Sequence, residues 1–148
     1  MSMMEKVGVT PHLVSFEITE SIFSSNYQEV NKILGQLKDL GFHIALDDFG
    51  TGYSSFARER ELNIDCIKID RSFIEKLLEL APKEAITGDI ISMAHRMGHL
   101  VVAEGVEKEP QLQYLKEHDC DMVQGYLIGK PVDRDTALGL MGIFGKEV

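Results

Sequence analysis

Five short apolar or β-branched runs recur along the chain with helical patterns between them: "HLVSFEIT" (12–19), "FHIALD" (42–47), "DCIKID" (65–70), "HLVVAEG" (99–105) and "CDMVQGY" (120–126). Each has the length of one strand. Strand and helix alternating about five times is the pattern of a parallel α/β sheet. The helical pattern is clearest after the first run, where Val30, Ile33, Leu34, Leu37 and Leu40 repeat on one face, Asn26 and Glu29 offer a capping box, and Gly41 stops the helix. A second helix is predicted from Ile86 to Met97, ending at Gly98. "PQLQYLKEH" opens another with Pro110 in its first turn, and "DRDTALGLMGIF" forms a last one weakened by Gly139 and Gly142. Two closures satisfy this alternation, an open doubly wound sheet or an arc of a βα barrel. The length of 148 residues favours the open sheet, because eight βα units usually need roughly 250 residues.

In either closure the chemistry sits beyond the carboxyl ends of the parallel strands. Those ends are polar and mostly acidic. The first run carries Glu17 with Glu20 just after it, the second ends at Asp47 and Asp48, the third carries Lys68 and Asp70, the fourth Glu104 with Glu107 following, and the fifth Gln124. Side by side, Glu17, Asp47, Asp48 and Glu104 would repel one another unless protonated or bridged by cations. Carboxylate ligation suits hard ions such as Mg²⁺ or Mn²⁺, and adjacent Asp47 and Asp48 are placed to serve one each of two ions roughly 3.5–4 Å apart. Such a pair activates water for phosphate displacement, with Lys68 holding the water or neutralising phosphate charge. Competing readings are simpler. Asp70 precedes "RSFIEKLL" and caps that helix; Glu20 is also consistent with plain solvent exposure; "GTGYSS" lacks the lysine of a phosphate-binding loop.

The formal charge of -9, from 24 acidic against 15 basic residues, excludes a sequence-independent DNA or RNA binder, which needs a basic face. Cys66 and Cys120 lie far apart with no zinc-like spacing and are expected to be reduced core residues. No run is long enough to span a bilayer and nothing resembles a signal peptide, so the expected location is the cytoplasm. The five histidines show no metal-ligand spacing, and the methionines read as core filler. No repeat or charge block divides the chain, and residues 1–148 are expected to be one domain.

"FEITES", "DDFGTGYSS", "IKIDRSF", "VVAEGVE" and "QGYLIGKP", in this order from about Pro11 to Pro131, resemble the EAL family of cyclic di-GMP phosphodiesterases. The resemblance implies a TIM-type βα barrel, with this chain as the second half of about five strands. It also implies hydrolysis of cyclic di-GMP to linear pGpG with two Mg²⁺ or Mn²⁺ ions. By motif, Glu17, Asp47, Asp48 and Glu104 resemble the family's metal-shell residues, and Lys68 the lysine beside the nucleophilic water. Glu20 resembles the glutamate that anchors the "DFGTGYSS" loop, which links metal binding to dimer contacts, while Glu107 and Gln124 match positions near the site or substrate. The "EAL" tripeptide, whose glutamate is a metal ligand, and the asparagine-bearing strand after it have no counterpart here. "SSFARERELN" and "LIGKP" also depart from the family's usual apolar helix and aromatic-serine pair. A half barrel leaves its first and last strands unpaired, so the chain is expected to form a homodimer. The alternatives to catalysis are a cyclic di-GMP-binding or regulatory module without turnover, and an inactive folding fragment.

Overall fold

The computed structural model of the chain describes residues 8, 10–50, 62–80 and 84–144. The part of "DDFGTGYSS" after Gly50 and the first eight residues of "SSFARERELN" lie outside them. Among the described residues the strands and α-helices follow in this order: β1 (Ser15–Thr19), α1 (Phe23–Asp39), β2 (His43–Phe49), β3 (Cys66–Ile69), α2 (Arg71–Lys76), α3 (Thr87–Met97), β4 (Leu100–Glu104), α4 (Glu109–Glu117), β5 (Met122–Gln124) and α5 (Arg134–Phe144). The five predicted strands are all present: β1 starts three residues late, β3, β4 and β5 are trimmed at both ends, and β2 starts one residue late and runs two residues past the predicted end. Residues 11–13 form a 3-10 turn instead of opening β1, because Pro11 has no N–H for a ladder. The capping prediction is met with altered chemistry. Asn26 is extended (φ -158°) at the start of the regular part of α1, its Oδ1 accepts the Glu29 N–H at 3.4 Å, and its Nδ2 donates to the Glu29 carboxylate at 2.6 Å. Asp70 is a helix cap as expected, accepting the Ser72 N–H at 3.0 Å.

The sheet order is β1-β2-β3-β4-β5, every pair parallel. A doubly wound sheet reverses its order at a switch point and this one does not, so the length-based preference for an open sheet is corrected. The register supplies the reason. Glu17 lies level with Ala45 and Cys66, so Lys68, two strands away, stands two residues further along; Asp47 and Glu104 are related in the same way across β2 and β4. A stagger of about one residue per strand, with alternate strands supplying each layer, is what an eight-stranded barrel requires.

One face of the sheet builds the core. Ile44, Leu46, Ile67, Ile69, Val101 and Ala103 pack against Leu34, Ile74, Ile91, Ala94 and Leu115 from the helices. Two aspartates pin the strand starts from the same structural position. Asp65, just before β3, accepts the Ile44 N–H at 2.9 Å and pairs with Lys38 of α1 at 2.7 Å; Asp121, just before β5, accepts the Val101 N–H at 2.8 Å and pairs with His95 of α3 at 2.8 Å. Burial works against the Asp121 charge, but the His95 contact and the Val101 N–H hold its pKa below the ordinary value. Both cysteines are free and half-buried. Among the described residues no helix is long and apolar enough to cross a membrane.

After β5 the chain doubles back on the β4 exit loop. Val106 donates to the Gln124 carbonyl and its own carbonyl accepts the Leu127 N–H, both at 3.0 Å. Gly125 sits between these bonds, where a Cβ would run into the Val106 backbone. Backbone clamped on both sides has little room to yield. Gly125→Ala is therefore expected to cost about 2–3 kcal/mol, read as a lower thermal midpoint with an unchanged far-ultraviolet spectrum; a midpoint within a degree of wild type would contradict the clamp.

Candidate active site

On the face opposite the core, three carboxylates from three strands converge on one lysine. Lys68 Nζ lies 2.9 Å from Glu17 Oε2, 3.1 Å from Asp47 Oδ1 and 2.8 Å from Glu104 Oε1. Lys68 is buried, whereas Glu17 is more than half exposed. Burial pulls the ammonium pKa down, but hydrogen bonds to Glu104, Glu17 and Asp47 outweigh it and hold the pKa well above the ordinary lysine value. Lys68 is thus a permanent cation. The carboxylates outnumber it and leave the rim negative.

The two aspartates are not equivalent. Leu46 pairs with Ile67 and Phe49 with Ile69, so β2 spends one residue more than β3 across this stretch, a β-bulge at Asp47 and Asp48. Asp47 stays in the pleat and points at Lys68. Asp48 takes a left-handed conformation (φ 55°), which aspartate tolerates better than most side chains, and its N–H donates to Asp47 Oδ1 at 3.0 Å. The bulge thereby breaks the alternation by which a regular strand would send two consecutive side chains to opposite faces.

Beyond the bulge, the Gly50 N–H donates to Glu20 Oε1 at 3.2 Å, while Glu20 Oε2 is buried without a hydrogen-bond partner among the described residues. Glu107 does not join the ring. It pairs with Arg71 Nη2 at 3.0 Å, and Arg71 Nε contacts Glu75 at 2.6 Å. Gly105, at φ 73°, passes under the Arg71 side chain, where a Cβ would collide with it. Gln124 lies level with Glu104 on the neighbouring strand and is exposed. Cys66 lies on the same face as the ring, but burial and Asp121 push its thiol up to about 11, so it is no thiolate nucleophile at neutral pH.

Arg71 and Gln111 were absent from the sequence-based set. Gln111 is buried, accepts the N–H groups of Glu107 and Lys108 at 2.9 Å each, and donates to the Ile74 carbonyl at 3.0 Å. Its signal in the sequence was a glutamine at the third position of a helix opened by Glu109 and Pro110, where a side chain returns to the N-cap backbone.

Hard oxygen donors are what a divalent metal of the Mg²⁺ or Mn²⁺ type takes, and the carboxylates at the bulge and the strand ends supply them. The donor set fits such an ion in kind. Among the described residues no three His, Cys, Asp or Glu side chains form a finished metal cage, the carboxylates being drawn onto Lys68 instead.

Strand-end carboxylates around a lysine on a staggered parallel arc stand at the carboxyl rim, where the sites of βα barrels lie. The chain belongs to the EAL domain family, which it matches over residues 2–131. It is 40% identical over 129 residues to the cyclic di-GMP phosphodiesterase NbdA of Pseudomonas aeruginosa, covering 87% of this chain and 16% of that protein. The EAL domain of Mycobacterium smegmatis DcpA superposes with a TM-score of 0.87 at 35% identity, covering 94% of this chain and 62% of that one. Klebsiella pneumoniae BlrP1, solved with manganese and cyclic di-GMP, superposes with a TM-score of 0.74 at 30% identity over 83% of this chain and 31% of that one. The chain therefore spans a small part of its curated relative and less than two thirds of the solved domain. It is a partial EAL domain, an arc of a TIM-type barrel.

Proposed function

We propose that this chain carries the catalytic rim of a metal-dependent phosphodiesterase that hydrolyses cyclic di-GMP to linear pGpG. One observation carries the reading: Glu17, Asp47 and Glu104, from three separate strands, converge on Lys68 at the carboxyl end of the sheet. Glu17, Asp47, Asp48 and Glu104 would hold Mg²⁺ or Mn²⁺, two ions in the full reading. The metal, when bound, supplies an acidified water and charge neutralisation at the phosphate. Lys68 donates hydrogen bonds from Nζ and orients the attacking water or a phosphate oxygen. Glu20 anchors the turn at Gly50 and so holds the bulge, while Glu107 and Gln124 flank the bound nucleotide.

Among the described residues no strand pairs with the outer edges of β1 and β5, and Leu100 and Met122 are exposed on the open face; these features support self-association, and we propose a homodimer. The location proposed for it is the cytoplasm. A second reading, nucleotide binding without turnover, is favoured by the chain's 62% coverage of the DcpA chain, because ligands carried on the remaining part are then not supplied here.

Incubation with cyclic di-GMP and Mn²⁺, with pGpG followed by chromatography, decides between them. Turnover in the wild-type chain that drops at least 100-fold in Glu17→Ala is the expected result, because second-layer damage to a metal site already costs 10- to 100-fold. Nucleotide binding with no product in either protein would replace catalysis by the binding reading.

A further inference from the structure

Gln111 touches none of the ring residues, yet its three hydrogen bonds join the two pieces of chain that carry Lys68 and Glu104. The Lys68 piece is β3 with the helix after it: Lys68, the Asp70 cap, Arg71 and Ile74 lie within seven residues. The Glu104 piece is β4 with its exit loop, Glu104 through Lys108. Gln111 Oε1 accepts both N–H groups at the end of that loop, and its Nε2 ends on the Ile74 carbonyl of the other piece. The amide is buried at 2% exposure, so water does not replace these bonds. A second tie runs parallel to it through Arg71 and Glu107, above Gly105.

We propose that Gln111 is a positioning residue of the site: its buried amide sets the distance between Lys68 and Glu104 by fixing the β4 exit loop to α2. This rests on the phosphodiesterase reading, and it deepens it by assigning the geometry of Glu104 and Glu107 to a side chain outside the ring. Both halves are needed: the oxygen holds the exit loop to Gln111, and the Nε2 donor carries the bond to α2.

The test uses three chains: wild type, Gln111→Met, which keeps the volume and loses both halves of the amide, and Gln111→Glu, which keeps the acceptor oxygens and loses the donor. The first readout is the side-chain carboxyl ¹³C resonance of Glu104, which senses its contact with Lys68 and needs no metal. The second is Mn²⁺ affinity, measured from the free-ion electron paramagnetic resonance signal. In Gln111→Met the Glu104 resonance is expected to move toward that of a solvated glutamate and Mn²⁺ affinity to fall about 10-fold, with thermal unfolding still cooperative. In Gln111→Glu, which keeps the loop bonds and loses the bond to Ile74, both are expected to move in the same direction as in Gln111→Met. A Glu104 resonance unchanged in Gln111→Met overturns the proposal, as does a wild-type resonance in Gln111→Glu. If Gln111→Met does not fold, Gln111→Glu decides alone: a resonance displaced toward a solvated glutamate supports the tie to α2 and a wild-type one overturns it. If the wild type binds no Mn²⁺, the phosphodiesterase reading is what fails, and the Glu104 resonance still decides the positioning claim.

Discussion

Lys68→Met is expected to cost the fold about 3 kcal/mol at pH 7, on the order of 10 °C in thermal midpoint. The lysine is buried, and its three carboxylate partners lie within 3.1 Å of Nζ. Replacing it with a methionine of similar length fills the space but leaves Glu17, Asp47 and Glu104 facing one another without a counter-charge. Breaking a buried pair by removing one partner costs about 3–5 kcal/mol, and the lower end applies because Glu17 remains largely solvated. The sign with pH follows from the lysine. Its folded-state pKa is raised above the ordinary 10.5, so its contribution is present in full below that value and is lost only as the pH climbs through the folded one. Neutral pH therefore shows the whole effect. Thermal midpoints of both proteins at pH 7 provide the check; a variant midpoint within about 2 °C of wild type would mean that the three carboxylates do not need the lysine as a counter-charge.

That result bears on how much of the site was readable from residue order. The strand ends at Glu17, Asp47, Lys68 and Glu104 were legible because parallel α/β sheets put chemistry at carboxyl edges and the apolar runs located those edges. The different backbone geometry of Asp47 and Asp48 was not legible. Residue order says that the two are adjacent, but whether a strand alternates or bulges depends on its pairing with β3, a tertiary fact. Arg71 and Gln111 escaped for a similar reason. A glutamine in the first turn of a helix reads as cap chemistry, and only the packing of α2 against the β4 exit loop shows that its amide reaches Ile74. Glu107 read as a site residue from its motif, while the structure gives its carboxylate to Arg71. Closure was legible from the motifs and not from length: length pointed to an open sheet, the motifs to a barrel arc, and the stagger between strands agrees with the motifs.

Asp47→Asn separates the stability of this ring from its proposed chemistry. In Lys68→Met the charge balance worsens; in Asp47→Asn it improves, because one of the carboxylates crowding a single ammonium becomes neutral. The amide oxygen still accepts from Lys68 and from the Asp48 N–H, so the bulge keeps its local bond. The thermal midpoint is expected to stay within about 1 kcal/mol of wild type. Metal affinity and turnover should behave in the opposite way, because an amide oxygen is a weaker donor to a divalent ion than a carboxylate and the rim loses negative charge. Production of pGpG is expected to fall at least 100-fold, with Mn²⁺ affinity falling alongside it. The pair of variants thus makes opposite demands: one loses stability through excess negative charge, the other keeps stability and loses function through too little. An Asp47→Asn chain that still binds Mn²⁺ at wild-type affinity would remove Asp47 from the metal shell, and the acidic rim would then be held together as a counter-ion nest for Lys68.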